Sequence, residues 1–228
     1  PESQRPQFVV DVYLPQGSDI KRTEALVAKI AQDIKAKEGI TNITSFIGGG
    51  GLRFMLNYVP EARNPSYGQI LIDVDDYNKI APLVGELQTE LDLNYSDASI
   101  KVWKFMLGRG GGKKIEAAFK GPDSAVLRQL AEQAKAILVN DANLIAVQDD
   151  WRQQIPVLQP VYSLEEAQRY GLTGQDINQA IAQMLSGRHV GVFREGDDLI
   201  PIVVRSPENE RNHQRAIENS EVFSHAVG

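Results

Sequence analysis

The stretch "ITNITSFIGGGGLRFMLNYVPEARNPSYGQILIDV", Ile40 to Val74, reads as two strands, "ITNITSFI" and "GQILIDV", parted by a loop with four successive glycines. Before it, "QFVVDVYL" (7–14) reads as a strand closed by the turn "PQGS". Ile20, Leu26, Val27, Ile30 and Ile34 then recur mostly at helical spacing, with Ser18 or Asp19 placed to cap and Gly39 to stop the helix. After it, Asp75 or Asp76 opens a helix whose Ile80, Leu83, Val84, Leu87 and Leu91 share one face, and "ASIKVWKFML" (98–107) is a strand. The order βαββαβ is that of a ferredoxin-like α+β unit, with two helices over one face of a four-stranded sheet.

Beyond Leu107 the pattern restarts and then breaks. "GRGGGKK" (108–114) is a joint; "KIEAAF" (114–119) reads as a strand, and Pro122 starts a helix, in whose first turn the missing N–H costs nothing. Val126, Leu127, Leu130, Ala134, Ile137 and Leu138 form its apolar stripe, and "NLIAVQDD" (143–150) is the expected returning strand. This is half of a second unit, so the chain carries a degenerate internal repeat cut short at Trp151. From there an α+β insertion is expected: a strand "IPVLQPVY" (155–162), a short helix, a longer helix with Ile177, Ala180, Ile181, Met184 and Leu185 on one side, and a hairpin turning at "EGDD". Ser163 with Glu166, and Thr173 with Asp176, have capping-box spacing. The expected divisions are 1–107, 112–150 and 151–228.

Composition excludes several classes. An apolar share of 42% over 228 residues supports a packed core, and a net charge of −6 with dispersed Lys and Arg argues against a nucleic-acid face. With no cysteine there is no disulfide, thiolate metal site or cysteine nucleophile. No apolar run approaches bilayer length and no signal peptide opens the chain, so it reads as a soluble body or a piece cut from something larger.

The chemical motifs are weak. "GGGGLR" and "GRGGGKK" lack the GxxxxGK[ST] spacing that converges amides, lysine and a hydroxyl on a phosphate, so flexible joints are the better reading. His189, His213 and His225 are isolated, and Asp149 and Asp150, adjacent on a strand, would point to opposite faces. No enzyme, resident metal or cofactor is expected. The aromatic residues carry more. Strand alternation puts Lys101, Trp103, Phe105 and Leu107 on one face of the last strand, and Ile100, Val102, Lys104 and Met106 on the other. Large apolar groups on both faces imply that the helix-free face is covered. Phe46 and Phe54 flank the glycine loop near the same sheet, so core packing competes with an aromatic cleft.

The segments "LPQGSDIKRTEALVAKI", "KGPDSAVLRQLAEQAKAIL" and "DDWRQQIPVLQPVYSLEEAQRYGLTGQDINQAIAQMLSGRHVGVFREGDDLIPIVVRSPENER" resemble the RND efflux transporters of the AcrB type, over essentially the whole chain. The part resembled is the second large periplasmic loop. The resemblance implies one porter subdomain at 1–107, half of a second at 112–150 and a docking subdomain at 151–228. It implies a periplasmic portion of a bacterial inner-membrane homotrimer, working with an adaptor protein and an outer-membrane channel to export amphipathic drugs. It also makes Gly48, Gly49, Gly50 and Gly51 a switch loop between drug pockets, and makes Phe46, Phe54, Trp103, Phe105 and a first-strand position at or near Val9 the substrate-contacting candidates. Asp197 and Asp198 become docking residues. The loop departs from the AcrB pattern in its four glycines and Arg53. A copper- or silver-exporting branch uses clustered methionines, whereas Met55, Met106 and Met184 lie apart in the sequence. The competing reading is a free-standing ferredoxin-like binding or interaction module, which genes without flanking membrane helices would favour.

Overall fold

A computed structural model describes residues 4–53, 58–106, 115–141, 143–144, 146–211, 215–218 and 220–224. The chain forms two compact units, 1–155 and 156–228. In the first, β1 (Gln7–Tyr13), α1 (Ile20–Lys35), β2 (Ile40–Ile47), β3 (Tyr67–Val74), α2 (Ile80–Asn94) and β4 (Ser99–Lys104) follow the expected order. The strands lie in the order β2-β3-β1-β4, every neighbour antiparallel, as a ferredoxin-like unit requires.

Local signals explain these elements. Asp19 caps α1 by accepting from the Lys21 N–H, and Asp76 caps a single 3-10 turn (Tyr77–Lys79) that runs into α2. Val27, Ile30 and Ile34 of α1 and Leu83, Leu87 and Leu91 of α2 pack on Phe8, Val10, Val12, Ile70, Ile72, Ile100 and Val102. Each such large side chain contributes about 1.5–3 kcal/mol by leaving water. Ile20, expected on that stripe, is 46% exposed; its Cδ1 lies 3.0 Å from where a Cβ on Gly48 would stand, so it borders the glycine loop instead. At the β4 edge, the buried Gln88 of α2 acts as a surrogate strand. Its Oε1 accepts from the Val102 N–H at 2.8 Å, and its Nε2 donates to the Ile100 carbonyl at 3.0 Å. That clasp satisfies two backbone groups on the β4 edge of the sheet.

The half-repeat differs from expectation. α3 (Ser124–Val139) forms behind an Asp123 cap, but the described parts of 115–119 and 143–150 are not strands, and α3 buries none of its residues. A strand needs a partner for its backbone groups, and among the described residues none lies alongside. Ala146 also breaks the second run, adopting φ 51°. Among the described residues, 115–150 therefore presents no strand edge. Asp149 forms an ion pair with Lys135 at 2.8 Å rather than standing solvated. Burial raises its acidity threshold, but the Lys135 hydrogen bond and charge outweigh that and hold the carboxyl below its ordinary range.

In the second unit α4 (Leu164–Arg169) is capped by Ser163, and α5 (Gly174–Leu185) by a complete Thr173–Asp176 box. β5 (Arg188–Glu195) and β6 (Asp198–Val204) form the hairpin. Residues 155–162 are not a strand; Pro156 and Pro160 remove two of its donors. The apolar side of α5 is not buried, and both hairpin strands are exposed along their full length. Two strands alone cannot enclose a core.

Candidate functional site

Alternation along β1 sends Phe8, Val10 and Val12 into the helical core and Val9, Asp11 and Tyr13 to the helix-free face. Register then fixes their neighbours on that face. Val9 stands between Leu71 and Trp103, Asp11 between Gln69 and Lys101, and Tyr13 between Tyr67 and Ser99; Phe46 stands beside Gln69 on its far side.

At the centre is a carboxylate that the sequence reading passed over. Asp11 is only 8% exposed. It accepts from Trp103 Nε1 at 2.6 Å, Tyr67 O–H at 2.7 Å and Gln69 Nε2 at 2.9 Å, a donor set that compensates burial of the charge. Gln69 Oε1 then accepts from the Gly51 N–H at 3.0 Å and the Tyr58 O–H at 2.9 Å. The glycine loop is thereby tied to the sheet. Backbone ties among the described residues include Gly48 N–H to the Tyr67 carbonyl, Gly50 N–H to the Glu61 carbonyl and Asn64 N–H to the Gly48 carbonyl, at 2.8–3.1 Å.

Glycine is required in this loop for three separate reasons. Gly48 has φ +75°; a Cβ on Gly50 would lie 2.7 Å from the Glu61 nitrogen; one on Gly51 would lie 2.9 Å from two carbons of the Phe46 ring. Gly49 has no neighbour closer than 4.0 Å.

The aromatic residues frame this network. Trp103 meets Phe105 edge-on at 5.5 Å and stacks on Tyr58 at 6.4 Å, with Lys101 Nζ 5.9 Å from the Trp103 ring. Tyr13 packs on Tyr67 at 4.8 Å and carries the Arg152 guanidinium at 4.8 Å on its ring. Arg152 pairs with Glu61 at 2.8 Å, and Tyr13 O–H donates to the same carboxylate at 3.3 Å. Burial raises the Tyr67 and Tyr13 phenols well above their ordinary range, with Asp11 adding to both. Burial raises Tyr58 as well, although its bond to Gln69 opposes this.

Of the sequence candidates, Val9, Trp103 and Phe105 come together, with Val9 and Phe105 buried; Phe46, on β2, is separated from Val9 by β3 and from Trp103 by β3 and β1, and is covered by Gly51. Phe54 lies outside the described residues. Asp197 is exposed beside Gly196 at the hairpin turn, and Asp198 opens β6 opposite Glu195. The missed residues, Asp11 and Gln69, did leave a signal: polar side chains inside the apolar runs "VVDVY" and "GQILI".

These features lie on a ferredoxin-like sheet that is followed in the chain by the helix α3. The family model described as AcrB/AcrD/AcrF matches residues 1–227, and the chain belongs to that family, the RND transporters. Among curated relatives, the cobalt-zinc-cadmium resistance protein CzcA of Cupriavidus metallidurans is 33% identical over 108 residues, covering 46% of this chain and 10% of that protein. The cation efflux system protein CzcA of an Alcaligenes species matches to the same extent. The chain thus spans about a tenth of those relatives. A crystal structure of a heavy metal efflux pump superposes with TM-score 0.75 at 16% identity, over 100% of this chain and 24% of that one, a likeness of fold. No helix among the described residues is long and apolar enough to cross a membrane.

Proposed function

We propose that this chain is the periplasmic porter and docking portion of a proton-driven RND exporter of the bacterial inner membrane, and that its helix-free sheet face forms one wall of the substrate path. The exporter is a homotrimer working with a periplasmic adaptor and an outer-membrane channel. Residues 1–107 are one porter subdomain, 112–150 part of another, and 151–228 the docking portion, with Asp197 and Asp198 at its contact tip. The observation that carries the reading is the glycine loop tied across an aromatic face by a few hydrogen bonds. Gly48–Gly51 move, and Val9, Phe46, Phe54, Trp103 and Phe105 meet the substrate when they do. Rings offer adaptable contact area, which suits amphipathic organic molecules.

A second reading, export of divalent metal cations, is favoured by the names of the CzcA relatives. One experiment separates the two. The full-length pump is expressed in a host lacking its own exporters, and tolerance is scored against organic compounds and against cobalt, zinc and cadmium salts. The first reading expects tolerance to organic compounds, altered for some by Phe46→Ala at equal expression. Tolerance to the metal salts alone overturns it in favour of the second. Charge reversal of Asp197 and Asp198 should weaken assembly with the channel and leave the second unit folded; unchanged assembly refutes the docking role.

A further inference from the structure

The Asp11–Gln69 pair has a polarity that reaches the loop. An ionised carboxylate only accepts hydrogen bonds. Asp11 therefore turns the NH2 of Gln69 towards itself, leaving Gln69 Oε1 to face outward, where it collects Gly51 N–H and Tyr58 O–H. The carboxamide and both loop groups are buried or bonded there, so an inverted amide would set donor against donor. Asp11 is itself held by Tyr67 and Trp103, from β3 and β4. One carboxylate in the middle of the sheet thus orients the group on which the loop closes.

We propose that Asp11 and Gln69 are the latch of the glycine loop, and that the closed state depends on the donor–acceptor sense of this pair as well as on packing. This deepens the reading of Gly48–Gly51 as a moving element and rests on it. The latch makes a specific demand: the residue at 69 must accept from the loop and must meet the residue at 11 donor to acceptor, in either direction.

Three variants of the chain separate this from simple packing. Gln69→Leu removes the acceptor that Gly51 N–H and Tyr58 O–H share. Gln69→Glu places a second carboxyl against Asp11. With one shared proton, that carboxyl donates to Asp11 and still accepts from the loop; with both ionised, the pair repels and the loop is released. The other charged or titratable groups facing the pair are Tyr13 from β1, Tyr67 from β3, Lys101 from β4, Tyr58 and Glu61 from the loop, and Arg152. Asp11→Asn combined with Gln69→Glu reverses the pair: the introduced NH2 takes the Oδ1 position and donates to the introduced carboxylate, Trp103 keeps the amide oxygen at the Oδ2 position, and the Tyr67 O–H turns to the introduced carboxylate, which lies within its reach.

The measurement is amide hydrogen-exchange protection at Gly48, Gly50 and Gly51 across pH, with Ile70, Ile72 and Val102 reporting the core. Gln69→Leu should lower protection at Gly50 and Gly51 about tenfold, the scale of one lost hydrogen bond. Gln69→Glu should be protected in acid and lose protection as pH rises, and the double variant should recover protection at all pH values. If Gln69→Leu also loosens the core, the comparison of the other two still decides. Protection in Gln69→Glu that follows the wild type at every pH, or no recovery in the double variant, overturns the latch. Since exchange reads loop closure without transport, either failure leaves the tolerance assay of the proposed function to stand or fall separately.

Discussion

Adding one methyl group at Gly50 should open the loop over the sheet, whereas adding it at Gly49 should not. At Gly50 the new Cβ would lie 2.7 Å from the Glu61 nitrogen, 2.9 Å from the Tyr58 hydroxyl and 3.2 Å from the Pro60 Cα. Two of these are backbone atoms, which cannot turn aside as a side chain can. Overpacking of this kind costs about 1–3 kcal/mol. Each hydrogen bond that holds Gly50 and Gly51 contributes a net ~0.5–1.5 kcal/mol, so the clash is comparable with the closure of these two residues. The ratio of closed to open loop should fall by a factor of about 5 to 150. At Gly49 the nearest atom is at 4.0 Å, and φ lies outside the left-handed region, so alanine there is neutral or stabilising by up to about 1 kcal/mol through the unfolded chain. The assay is trypsin cleavage at Arg53 and Arg63 under native conditions, where the rate tracks the open population. Urea unfolding beside it checks that the core is intact. Equal cleavage rates for Gly50→Ala and Gly49→Ala would refute the reasoning, because they would mean the loop does not rest where these contacts place it.

Three further outcomes are expected. Tyr13, Tyr58 and Tyr67 are raised chiefly by burial, and Tyr95, buried and bonded to Asp33, is pushed up to about 12. Their protonated forms contribute stability fully below pH 10 that is lost as pH rises through the raised values, so these phenols should ionise together with alkaline unfolding; ionisation of all seven tyrosines near pH 10 in a folded chain would contradict this. Lys135→Met should destabilise the first unit by about 1–2 kcal/mol at neutral pH by leaving the Asp149 carboxylate without its donor. Because Asp149 is lowered when paired, that contribution exists above its ordinary value and fades as pH falls through the folded one, so the difference from wild type in urea unfolding should shrink in acid; a difference constant to pH 2 would count against the pair. Thr173→Ala removes one half of the capping box and should cost about 1 kcal/mol in α5, read as lost helical circular dichroism on warming; no change would mean the box is redundant.

The elements that could be read from the chain alone are those whose signals are local. Helical spacing placed α1, α2, α3 and α5, and Asp19 and Thr173 stood where a side-chain oxygen can reach the first free N–H groups. Alternation and glycine placement marked β1, β2, β3 and the hairpin, and the order βαββαβ then left few topologies. The apolar runs at 115–119, 143–150 and 155–162 carried the same local signal and did not become strands in their described parts. A strand is half of a pairing, and no run of residues states whether its partner is present. The candidate site divides in the same way. Trp103 and Phe105 were visible on one face by alternation, but their relation to Asp11 was not, since Trp103 and Asp11 are 92 positions apart. Gln69 looked like one polar residue in a strand until the register of β3 against β1 put it 2.9 Å from a buried carboxylate. The sequence by itself determined which residues could turn, cap and pack; tertiary structure decided which buried charge met which donors, because that depends on register across strands joined through long connections.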